Sequence, residues 1–240
     1  MIKRFQTLGI VALVAVSALA LASQGLTIKR TPKEGQVTRY KMTGSIALPD
    51  PIGTVNVRGI VEEKITKVEA DGTYTTVQTQ VEAFASRGTD AEQAVDNQSA
   101  TTTKYNAKGE VVSIEVDTDP VAAWRMAGLN LFIEPGKPVN IGDKWSHEIK
   151  ADEKTGAVAA KADYTVLGEE KVGSVDTIKI KCTVSETAGD QPASSDVTVW
   201  IDKKDSTMVQ AETKVKQAPF ATPAGTFALD GTLKMTRIEG

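Results

Sequence analysis

The amino-acid sequence predicts a mainly β protein: an antiparallel, strongly curved sheet or half-barrel with one short connecting helix. Three observations lead there. Apolar and polar residues alternate over most of the chain, at the period of two that buries one face of a strand and wets the other. The alternating runs are joined by short polar links, which favour antiparallel neighbours. One stretch alone, starting at Pro120, reads as a helix. Two packed four-strand meanders are the other arrangement that fits the pattern.

Residues 1–22 have the marks of a secretory signal: Lys3 and Arg4 at the start, an apolar run from Leu8 to Leu21, and Ala20-Leu21-Ala22 as a small-x-small cleavage site. The run of 14 residues is shorter than the roughly 20 that span a bilayer. Ser23 and Gln24 stand where a lipid-anchored signal would need cysteine, so the product is expected to be free in the periplasm or outside the cell, with no membrane span after cleavage. Residues 23–240 are then expected to form a single β-rich domain. Cleavage removes two of 28 basic residues against 31 acidic ones, which leaves a formal charge of −5. Basic and acidic residues are interleaved, so no surface for nucleic acid is implied.

The first strand runs from Gln36 to Leu48, with Tyr40, Met42, Ile46 and Leu48 on one parity, and Pro49-Asp50-Pro51 ends it. Val55, Val57, Val61 and Ile65 define the second. Val68 breaks their parity, which predicts a bulge near Thr66 or Lys67, and Gly59 is another candidate kink. Asp71-Gly72 is expected to be a two-residue turn, because Val68 and Ala70 then match Thr73, Thr75, Val77 and Val81 in the third strand. Arg87 to Gln98 reads as an acidic loop. Thr101–Tyr105 and Glu110–Val116 form a hairpin about Asn106-Ala107-Lys108-Gly109. In the helix, Asp117 or Asp119 is the cap, Pro120 suits the first turn, and Val121, Trp124, Gly128 and Leu131 lie near one face.

Beyond Pro135, one strand carries Trp145, His147 and Ile149, and another runs from Val158 to Val166 before a turn region from Gly168 to Ser174. Ile178, Ile180, Cys182 and Val184 alternate cleanly with polar residues. Asp196 to Val215 is the clearest hairpin, turning at Asp202-Lys203-Lys204-Asp205-Ser206. In the last strand Phe227, Leu229, Leu233 and Met235 keep one parity straight through Asp230-Gly231, so that pair bends a strand rather than ending it. A shift of 96 positions lays Ser99 on Ser195, Thr102 on Thr198, Asn106 on Asp202 and Lys108 on Lys204. The halves 36–118 and 140–240 are therefore candidates for an internal repeat.

Catalytic chemistry is sparse. His147 is the single histidine, on the parity of Trp145 and Ile149, where it reads as a packed residue. Cys182 shares a parity with aliphatic neighbours and reads as a small buried hydrophobe. Glu115, Asp117 and Asp119 alternate as a calcium site would require, but a strand end running into a helix cap accounts for them. Glu62-Glu63 and Glu169-Glu170 are adjacent acids pointing to opposite faces of a strand. The reading is a protein that is not an enzyme and needs neither cofactor nor metal.

The run Val197-Thr198-Val199-Trp200-Ile201-Asp202-Lys203-Lys204-Asp205, continuing through Met208 to Glu212, resembles a segment of bacterial periplasmic proteins of the lipoprotein-carrier superfamily, over about a tenth of the chain. The resemblance implies a long sheet wrapped into a half-barrel, with helices over a hollow that holds acyl chains. The expected function is an exported binding or carrier module for an apolar small molecule or lipid. A structural or assembly protein touching other envelope proteins through its strand edges is the alternative. Trp124, Trp145 and Trp200 are the candidate ligand contacts. Trp200 is included because its parity sends it away from Val197, Val199 and Ile201, so that the helix around Trp124, a ligand in a hollow, or a partner would have to cover it.

Overall fold

The computed structural model describes residues 25–48, 53–95, 100–222 and 225–238. The expected signal at 1–22 and the turn at Pro49-Asp50-Pro51 lie outside them. Twelve strands are described: β1 (Val37–Leu48), β2 (Gly53–Val68), β3 (Tyr74–Arg87), β4 (Gln93–Ala94), β5 (Ala100–Tyr105), β6 (Val111–Glu115), β7 (Lys144–Ile149), β8 (Ala160–Val172), β9 (Val175–Glu186), β10 (Ser194–Asp202), β11 (Met208–Thr222) and β12 (Gly225–Ile238). One helix, α1 (Pro120–Leu129), joins β6 to β7.

All strands belong to one antiparallel sheet in the order β6-β5-β3-β2-β1-β12-β11-β10-β9-β8-β7, with the two-residue β4 on β3. Two meanders are present, β1 to β6 and β7 to β12. They are welded edge to edge by the β1–β12 pairing from Arg39↔Ile238 to Ala47↔Asp230, rather than packed face to face. The alternative of two packed meanders is thereby excluded, and the sheet is an open, curved one. Gly231 lies between Ile46 and Val215 within an unbroken β12, as the parity of that strand predicts.

Four local readings need correction. β2 does bulge at Thr66, since the register jumps from Ile65↔Thr76 to Lys67↔Thr75. In β3, however, Val81 is itself an extra residue, between Ile60↔Glu82 and Val61↔Gln80. That second bulge inverts the parity of the strand, so Tyr74 and Thr76 face inward while Val81 is 52% exposed. The β2–β3 link is also wider than Asp71-Gly72: the Glu69 amide donates to the Thr73 carbonyl at 2.7 Å. β8 passes through Gly168 instead of turning there, because Leu167 is absorbed as a bulge and the turn comes at Gly173-Ser174. On α1 the buried residues are Ala122 and Leu129, and Val121 is exposed.

Asp119 is the N-cap. Its carboxylate accepts the amides of Val121 (2.9 Å) and Ala122 (3.3 Å) and the hydroxyl of Thr226 (2.6 Å), and the Thr226 bond leads in holding its pKa below the usual aspartate range. The helix packs against β11 and β9. Behind it, Leu129, Leu131, Ile133 and Val139, with Ile28 from the N-terminal segment, fill the concave side of β8 to β11 over Tyr164, Ile178, Ile180, Val184 and Val199. The main core is thus chain folded into the hollow of the C-terminal half.

Candidate ligand-binding surface

Cross-strand register defines the inner wall row by row. One row runs Ala85–Val57–Gly44–Leu233–Thr213–Val197–Cys182–Tyr164–Trp145 across nine strands. The wall is treated differently in its two halves.

In the C-terminal half it is sealed. The Tyr164 hydroxyl donates to the Leu131 carbonyl (2.9 Å) and accepts from the Ile133 amide (3.3 Å), while Trp145 Nε1 donates to the Ile133 carbonyl (2.8 Å). Trp145 stacks on Tyr164 with ring centroids 5.0 Å apart and an interplanar angle of 10°. Ser195 Oγ donates to the Leu129 carbonyl. These bonds satisfy the backbone of a segment that leaves the helix inside the sheet, where water is not at hand. The β5–β6 turn meets the same segment: Gly109, at φ 90°, lies so close that a Cβ there would stand 2.6 Å from the Phe132 carbonyl oxygen.

In the N-terminal half the wall is apolar and only partly covered. Met42, Ile46 and Leu48 of β1, Val55 and Val57 of β2, Ala83 and Ala85 of β3, and Leu233 and Met235 of β12 all point inward and are half-buried. At the Leu48 end the row continues onto Leu229, which is buried, and then to the cross-strand pair Phe220 and Phe227, 41% and 40% exposed. Val215, Ala218 and Leu229 form a dry floor between them.

The opposite end of this wall is polar and closed. Arg30 Nη2 lies 2.5 Å from Glu63 Oε1, its guanidinium sits over the Tyr74 ring at 5.2 Å, and its amide donates to Glu134 Oε1 at 2.7 Å. Tyr74 stacks on Tyr105 at 5.2 Å. Burial pushes the phenols of Tyr40 and Tyr105 up, the latter to about 12, so both are neutral donors at ordinary pH. Burial works against the charge on Arg30, and Glu63 with Tyr74 outweighs it, leaving the guanidinium firmly protonated. Arg30 anchors the N-terminal segment across the end of the sheet.

The three tryptophans are not brought together. Trp145 belongs to the sealed half. Trp124 is half-buried and lies about 200° around α1 from the buried Ala122. Trp200 is on the outer face, 6% exposed, beneath Lys179, whose Nζ sits 4.8 Å from the ring centroid, and its Nε1 donates to Glu170. The cover expected from the helix, a ligand or a partner is therefore supplied by an outer-face ion pair, Lys179–Glu170 at 3.2 Å.

Cys182 is 3% exposed on the inner wall, and burial pushes its thiol up to about 12. At pH 8 a thiol reagent should label it about a thousandfold more slowly than in denaturant, since only the thiolate reacts. Rapid labelling of the native protein would mean that the β9 register is wrong. His147 Nδ1 lies 3.8 Å from Glu110 of the β5–β6 turn, a contact between distant parts of the sheet. Asp119 is committed to capping, and among the described residues no cluster of three metal-ligating side chains occurs.

No protein-family model and no curated protein matches the sequence. Among solved structures, lipovitellin, in a study of its lipid–protein interactions, superposes with a TM-score of 0.50 over 86% of this chain at 11% identity. The chain spans 25% of that lipovitellin chain. The likeness is one of fold: this protein has the curved-sheet architecture of part of lipovitellin. DynF from Micromonospora chersina (TM-score 0.25, 11% identity, 98% of this chain and 91% of that one) and a DUF1329 family protein from Desulfovibrio piger (0.23, 10%, 84% and 84%) are also matched, at scores too low to refine that assignment.

Proposed function

We propose that this protein is an exported, non-catalytic carrier that holds an apolar chain, such as the acyl tail of a lipid, against the inner wall of β1, β2, β3 and β12. One observation carries the reading. This wall keeps a contiguous set of aliphatic side chains only partly buried, while the neighbouring half of the same wall is packed by the protein's own helix and loop. Left in water, such a patch forgoes roughly 25 cal/mol per Å² that an apolar guest would recover. The fold shared with part of lipovitellin supports the reading at the level of architecture.

Titration with a fluorescent fatty acid tests it. Wild type should give saturable binding, and Val57→Asp, which places a carboxylate on the half-buried wall, should weaken it about tenfold or more. Val112→Asp, at a 51% exposed bulge position in β6, should bind as wild type does. Absence of saturable binding, or equal affinity in both variants, would remove the proposal.

A further inference from the structure

We propose that the tip of the β11–β12 hairpin docks on the surface of a zwitterionic phospholipid bilayer, with Phe220 and Phe227 entering the interface. This deepens the carrier reading and rests on it for its purpose, since docking would let a lipid pass between membrane and inner wall.

Sequence and structure converge on that hairpin. From Ala218 to Leu229 the chain carries no charged residue, although a quarter of the whole sequence is charged. Phe220 and Phe227 are direct cross-strand partners, and about two-fifths of each is exposed at the end of the sheet. Isolated exposed aliphatic side chains occur elsewhere, but two facing phenylalanines towards the end of a charge-free hairpin form an apolar unit of interfacial type. Its position is fixed from both sides. The register slips by one residue between Val215 and Ala218, where Lys216 and Gln217 together oppose Asp230, with Gln217 at φ 52° and its amide bonded to Asp230, so the hairpin changes direction there. Thr226 ties β12 to Asp119 at the start of the helix.

The occupant follows from the surrounding charge. Asp230 and Asp119 are engaged by the Gln217 amide and by Thr226 with the helix amides, while Lys216 is exposed at the β11 bulge, set back from the phenylalanines on the side where lipid phosphates would lie. Asp117, two residues before the cap, opposes a strongly anionic surface. A zwitterionic bilayer satisfies both conditions, and continuity from Phe227 through Leu229 to the inner wall makes the docked tip the entrance to the proposed site.

Flotation of the full chain with phosphatidylcholine vesicles is the test. Wild type should co-float, and the double variant Phe220→Ser/Phe227→Ser should lose about tenfold or more of the bound fraction while its melting temperature stays as in wild type. Ile141→Ser removes a more exposed apolar side chain, just before β7, and should float like wild type. A second variant, Phe220→Trp, adds an indole at the tip whose difference emission against wild type should shift to the blue with vesicles. The proposal is overturned if wild type stays at the bottom of the gradient, if the double variant floats equally, or if Ile141→Ser loses as much. It is also overturned if wild type is a dimer that the double substitution dissolves, because the tip would then be a contact between copies. Flotation that depends on the phenylalanines in a protein that binds no fatty acid would remove the carrier reading and leave the docking.

Discussion

Tyr164→Ala should lower the folding free energy by about 3–5 kcal/mol, the range for deleting a buried aromatic side chain. The side chain is 1% exposed and works in two ways. Its ring is stacked on Trp145 and meets the edge of Phe132 at 5.8 Å, so its removal leaves a void that a stiff sheet can close only in part. Its hydroxyl serves the backbone at Leu131 and Ile133, and both groups would be left without that partner inside the hollow. Tyr164→Phe separates the two roles and should cost about 1–3 kcal/mol. The measurement is the urea midpoint at unchanged slope. A loss below about 1 kcal/mol for Tyr164→Ala would mean that the segment after the helix is not fastened to the wall through this residue.

Most of the fold was legible because it is written in a local code. Strand parity places Tyr40, Ile180, Cys182 and Leu229 on the inner wall, and it recognises Gly231 as a bend in a continuous strand. The same code fails where a residue is added without a composition signal. Val81 and Leu167 are ordinary apolar residues in alternating runs, and only pairing with a neighbouring strand makes each of them a bulge. On α1, Val121 and Trp124 look as core-like in sequence as Met126 and Leu129, yet only Ala122 and Leu129 are buried.

The site was less legible, because it depends on what the chain leaves uncovered. Sequence marks tryptophans as candidates, yet the long side chains of Lys179 and Glu170 cover Trp200, and the plug after α1 takes up Trp145. Val55, Val57 and Ala85 carry no signal that distinguishes them from fully packed residues. Arg30 and Glu63 are far apart in sequence and appear as surface charges until the N-terminal segment crosses the sheet. The charge-free run from Ala218 to Leu229 was the one feature of the surface that could have been found in the sequence, by counting charges rather than parity.

Arg125→Met should cost about 3 kcal/mol, the lower end of the range for removing one partner of a buried ion pair, because Arg125 is itself partly exposed. Glu186 is the buried member, with 4% of its side chain exposed, and it receives Arg125 through two bonds, Nε to Oε1 at 2.8 Å and Nη2 to Oε2 at 2.6 Å. Bonding to Glu186 raises the pKa of the guanidinium, so Arg125 stays charged. Methionine retains much of the aliphatic contact and removes the charge, which leaves the Glu186 carboxylate with the Ala193 amide, at 2.7 Å, as its remaining hydrogen-bond partner. The double variant Arg125→Met/Glu186→Gln keeps an acceptor for that amide and no longer buries an unpaired charge, so it should regain most of the loss. The pair also joins the middle of α1 to the end of β9, so the single variant should release the helix more readily than the sheet. Hydrogen exchange should therefore rise at the amides of Ala123 to Leu129 before it rises in β8 to β10. Equal exchange in helix and sheet, or a double variant as unstable as the single one, would mean that the bridge sits on the helix without holding it.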